Sequence, residues 1–191
     1  MAAPIRQSQY ADLLRAELVA TDARLQGLAG TLGERALSWV PAAGGWSVGQ
    51  VLEHLIVAAD SYLTPMRRLI SERSAAIVGG GDPTWRPSLM GGLLASSLRS
   101  PRKLPAPRAY IPAPVPRPDV LEQLRARLRD TALLLDRARP LEWNRMRLSS
   151  PISRLIRLNL GDCFAISVAH AHRHVGQIDR IRSQAGFPLT A

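Results

Sequence analysis

The sequence predicts an all-α fold, a bundle of four long helices. Three observations predict it. Leucine-rich stripes recur at helical spacing in four segments, start and stop signals bracket those segments, and no convincing strand pattern interrupts them. The chain has 191 residues, which suits a single domain spanning 1–191 that buries its core without disulfides.

The first helix is expected over about Gln9–Leu32, with Ser8 as its N-cap. Leu14, Leu18, Leu25, Leu28 and Leu32 form one apolar stripe. Gly30, Gly33 and the stretch Pro41–Gly45 end the helix and make a turn. The second helix has the clearest start in the chain. Ser47 and Gln50 have capping-box spacing, and Trp46 stands where an apolar residue staples the entering chain. The helix runs through Val51, Leu52, Leu55, Ala58 and Tyr62 to about Ile77, with Pro65 as a point for a kink.

Gly79–Pro118 is rich in glycine and proline, a long connection between the second and third helices, extended or polyproline-like in part. Such a length inside a compact domain implies a crossover or a cover over a site. A short helix at Leu89–Leu98 fits within it. The third helix is expected over Asp119–Arg139, with Leu121, Leu124, Leu128 and Leu135 on its buried side and Pro140 as its stop. An irregular segment through Trp143 and Pro151 leads to the last helix, from the N-cap Asn159 to about Ser183.

The histidines carry the chemical signal. His170 and His174 are four residues apart, so at about 100° per residue they share a face of the last helix. That face also carries Cys163, Ile166, Ser167 and Ile178, the core-facing side, while His172 points outward. On the second helix His54 shares a face with Val51, Ala58, Ser61 and Tyr62, whereas Glu53 and Asp60 fall on the other side. Three imidazoles therefore face one interior from two helices. Burying them is costly unless each finds a partner, and one divalent metal ion partners all three. Three protein ligands leave positions open for water or substrate, as in catalytic rather than structural zinc sites. Ala171-His172-Arg173 separates the pair, so the glutamate of a metalloprotease helix is missing and no protease is expected.

Around this site, Gln177 lies one turn beyond His174 and either orients a ligand from behind or makes a helix-packing contact. Ser61, Tyr62 and Cys163 are read first as packing residues; Cys163 stands about 10 Å along the helix from His170, too far to favour a fourth ligand.

Composition narrows the function classes. The net charge is +10, almost all from arginine, with Lys103 the only lysine. The arginines are scattered among aspartates and glutamates and no recognition motif accompanies them, so nucleic acid is not the expected partner. No run approaches the roughly 20 apolar residues that span a bilayer, and no membrane partner is expected. A lone cysteine, Cys163, excludes an intrachain disulfide and fits a reducing cytoplasm.

Two stretches resemble the DinB-like superfamily of bacterial metal-binding helical bundles. The first is Gly45-Trp46-Ser47-Val48-Gly49-Gln50-Val51-Leu52-Glu53-His54-Leu55, similar to the family's Trp-Ser entry and first metal histidine. The second is His170-Ala171-His172-Arg173-His174-Val175-Gly176-Gln177-Ile178, similar to its His-x-x-x-His-x-x-Gln-Ile. The Pro-rich element at Lys103–Pro107 agrees as well. The resemblance implies an up-down-down-up bundle, a divalent ion, nickel or zinc, on His54, His170 and His174, and a homodimer. It also implies thiol-dependent transferase or isomerase chemistry with a low-molecular-weight thiol and a small-molecule substrate. Such an ion would activate a bound thiol for an S-transferase, or a bound water for a hydrolase. A non-catalytic, stress-associated metal-binding module is the alternative. Arg173 is the candidate for holding a carboxylate of the thiol or substrate.

Overall fold

The computed structural model describes residues 5–28, 31–73, 81–100 and 105–188. Helices dominate it: α1 (Gln7–Leu28), α2 (Glu34–Ser38), α3 (Val48–Arg73), α4 (Leu89–Arg99), α5 (Val120–Ala138) and α6 (Leu160–Arg182). Four long helices surround the core. α1 and α3 each pack against both α5 and α6, and α4 lies on the outside of α6. Leu14 and Leu25 of α1, Leu52 of α3, Leu124 and Leu135 of α5 and Ile178 of α6 are almost wholly excluded from solvent. This burial stabilises each amphipathic helix, since helices of this length owe more to packing than to intrinsic propensity. Among the described residues no helix is long and apolar enough to cross a membrane.

The caps explain where α3 and α6 begin. Ser47 N–H donates to Gln50 Oε1 at 3.0 Å and Gln50 N–H to Ser47 Oγ at 3.2 Å, the reciprocal box the spacing predicts. Asn159 and Asp162 close a second box, with both backbone-to-side-chain bonds at 2.9 Å. α3 runs on through Pro65 to Arg73, and the expected extension to Ile77 lies outside the described residues. α4 and α5 match their expected positions within a residue or two.

Three expectations need correcting. Ser8 is not an N-cap: α1 starts at Gln7, and Asp82 from the long connection accepts from Ser8 N–H at 3.0 Å and Ser8 Oγ at 2.6 Å. The segment after Gly33 is not only a turn, because α2 forms there. Strands are present too. β1 (Ile5–Arg6) pairs antiparallel with β2 (Thr84–Trp85), tying the start of α1 to the connection. β3 (Arg147–Ser150) and β4 (Ser153–Asn159) form a hairpin, with Leu148 opposite Leu158 and an irregular register at Ser149/Ser150. That irregularity breaks the period-two pattern, and Leu155, 94% exposed, sits where alternation with Leu158 would demand a polar residue.

The described parts of the Gly79–Pro118 connection hold β2, α4 and a 3-10 turn at Arg108–Tyr110, with Pro107 in extended, polyproline-like backbone. Its last part lies along the first turns of α3. Gln50 Nε2 reaches Pro114 O, and Arg117 N–H and Nε donate to Glu53 Oε1 at 2.9 and 2.8 Å. The approach is so close that a Cβ on Gly49 would stand 2.4 Å from Pro116 Cγ. The connection thus covers the half of α3 that carries His54.

Candidate metal centre

The two capping boxes fix the starting points of α3 and α6, and the 3.6-residue period then sets the direction of every side chain along them. His54 emerges from the second turn of α3, His170 and His174 from the middle of α6. Their rings meet, with centroids 4.6–4.9 Å apart in all three pairings. One ring nitrogen from each lies within 4.8 Å of the others, and His54 Nε2 stands 3.1 Å from His170 Nε2. His54 is 2% exposed and His174 9%, while His170 is half-buried.

Hydrogen bonds set the orientation of two rings. His54 Nδ1 lies 2.7 Å from the Tyr110 carbonyl oxygen, which can only accept, so Nδ1 carries the proton and Nε2 presents its lone pair. His174 Nδ1 lies 2.7 Å from Gln177 Oε1, which turns His174 Nε2 toward the other rings in the same way. Two lone pairs aimed at one point repel, so without a cation His170 must supply the proton in its 3.1 Å contact with His54. Trp46 closes one side, its ring 4.9 Å from that of His54.

The surroundings keep the imidazoles neutral. Burial lowers the pKa of His54, opposed by its bond to the Tyr110 carbonyl. Burial, then the neighbouring His174 and His54, hold His170 well below the usual histidine range. His174 is pushed down to about 4, chiefly by burial and next by His54, with Gln177 opposing. The donor set fits a divalent metal ion. Nitrogens bound tetrahedrally at 2.0–2.1 Å lie about 3.3 Å apart, close to the 3.1 Å contact seen here, and neutral imidazole is the ligand form.

A family model of the DinB superfamily matches residues 17–178. The chain belongs to the DinB superfamily. No curated protein and no solved structure matches it. The match runs from α1 to the last turns of α6 and encloses all three histidines.

Within this DinB fold the other candidates separate. Gln177 touches His174 directly. His172 is exposed, as its helical position predicts. Among the described residues Cys163 is outside the histidine cluster; it is buried, and burial pushes its thiol pKa up. Ser61 Oγ donates to Ala58 O and contacts Tyr110 Oη at 2.8 Å, so it braces the residue whose carbonyl holds His54. Arg173 Nη1 donates to the carbonyls of Leu98 and Ser100 at the end of α4, where a cation suits the helix dipole, and its charge lies near enough to help lower the pKa of His170 and His174. Glu53, expected on the outer side of α3, is 4% exposed, because Arg117 folds over it. Sequence reasoning missed the Tyr110 carbonyl, a main-chain atom with no residue signature.

Proposed function

We propose that the chain is a metal-dependent enzyme that holds one divalent ion, zinc or nickel, on His54, His170 and His174. The reaction we assign is S-transfer from a low-molecular-weight thiol to a small electrophile. The observation that carries the reading is the convergence of three neutral imidazole nitrogens within 4.8 Å. When bound, the ion supplies Lewis acidity that lowers the pKa of a thiol reaching its open position, so that the thiolate forms near neutral pH.

The protein's part is to prepare the site. The Tyr110 carbonyl holds the His54 proton on Nδ1, and Gln177 does so for His174, so both Nε2 atoms carry lone pairs toward the centre of the triad. Burial keeps protons off all three rings at neutral pH. Trp46 and the covering segment restrict water around His54. We assign the four long helices the up-down-down-up order of the DinB superfamily. The packing of α3 beside α5 across a connection of more than forty residues supports it, because parallel neighbours need a crossover.

The test is metal analysis of the purified protein, then calorimetry and an assay with a thiol and a chlorinated aromatic. One equivalent of zinc or nickel is expected. At a free ion concentration near 1,000 times Kd, binding adds about 4 kcal/mol of stability. With an unfolding entropy of about 0.4 kcal/mol/K for a chain of this size, that raises Tm by about 10 °C. His54→Ala should lose the shift and the turnover together. Metal binding without thiol turnover would leave a hydrolase or a non-catalytic module, and no metal-dependent shift in the wild-type protein would reject the site itself.

A further inference from the structure

A cavity of about 30 Å³ opens on the bundle side of His170, walled by all four long helices. Leu18 of α1, Leu55 of α3, Leu124 and Leu128 of α5 and Ile166 of α6 make it apolar. Its space is left by small residues, Ala58 and Ala59 on α3 and Ala171 on α6. A single water needs roughly 10–15 Å³ of such space, so the cavity holds two or three heavy atoms.

One wall residue behaves unlike the other helical hydroxyls of the bundle. Thr21, Ser61 and Thr131 all turn their hydroxyls back onto a carbonyl of their own helix. Ser167 does not, and its buried Oγ has no partner. Tyr62, also on the wall, makes no hydrogen bond of normal geometry through Oη, although the Ser150 hydroxyl is near enough to oppose the upward pull of burial on its pKa. An apolar chamber with an idle hydroxyl, bounded by one of three metal-ligand candidates, has the character of a ligand pocket rather than a packing fault.

We infer that this cavity is a size-limited subsite for an unbranched aliphatic group of two or three carbons, carried by the small ligand that takes the open position beside the triad. The inference rests on the metal reading above. The chamber buries the chain of the ligand, while its polar head stays at the histidines. Each methylene that enters contributes about fourfold in affinity, and a branched group is excluded by the rigid helix walls.

The full-length protein, loaded with cobalt(II), is titrated with ethanethiol, 1-propanethiol, 1-pentanethiol and 2-methyl-2-propanethiol while the thiolate-to-cobalt absorption is followed. 1-Propanethiol should bind at least about tenfold more tightly than 2-methyl-2-propanethiol. Ala58→Leu, or the milder Ala58→Val, should weaken 1-propanethiol by about tenfold with cobalt affinity unchanged. Leu128→Ala should move the preference toward 1-pentanethiol, a gain that misfolding cannot imitate. Equal affinities for all four thiols, or no effect of these variants in a protein that binds cobalt, would overturn the subsite and leave the metal site standing. Failure to bind cobalt would remove both.

Discussion

Acid should destabilise the metal-free protein through its histidines. The perturbation is a drop from pH 7.5 to pH 5 after chelation of any metal. The native pKa of His174 is about 4 and its unfolded value 6.5, so between these limits the unfolded chain binds the proton and the native one does not. Stability therefore rises with pH through this window and is lost as pH falls below about 6.5. Integrating the linkage for this one residue gives a loss of about 2 kcal/mol at pH 5, or about 5 °C in Tm. His170 and His54, also depressed, act in the same direction, so the wild-type loss is larger than the single-site figure. Urea unfolding at both pH values measures it. His174→Gln removes one of the groups and should reduce the loss by about 2 kcal/mol. If the variant keeps the full wild-type pH dependence, the native state does not exclude protons from the triad and the reasoning fails.

Two further outcomes are expected. Gln177→Ala removes the acceptor on His174 Nδ1 and should weaken metal binding by about 10- to 100-fold in competition with a chromophoric chelator, while Gln177→Glu should retain it. Gly161→Ala places a Cβ 2.2 Å from Trp85 Nε1, in a ring stacked on Tyr10 and bonded to Asn159. Overpacking of about 3 kcal/mol, less about 1 kcal/mol of helix propensity, should lower Tm by about 5 °C in a thermal scan.

Much of this was legible because the signals are local. Ser47 with Gln50 and Asn159 as a cap are short-range patterns, and they fix the angular positions of every later residue on α3 and α6. From there the inward direction of His54, His170 and His174 follows from helical period alone. What escaped the sequence depends on partners far along the chain. Glu53 is buried because Arg117, 64 residues on, folds over it. Ser8 is bonded by Asp82 instead of capping α1 itself. The β3–β4 hairpin carries an irregular register and an exposed Leu155, so its strands never show the alternation that would announce them.

The hydrogen bond from His54 to residue 110 is made to a main-chain oxygen. Every amino acid carries that atom, so replacing the tyrosine leaves the acceptor in place as long as the backbone keeps its path. The Tyr110 side chain, buried and held by Ser61 at 2.8 Å, is what keeps that path, so its loss should loosen the acceptor without removing it. Anchoring of the segment and upkeep of the ligand are thus assigned to different atoms of one residue.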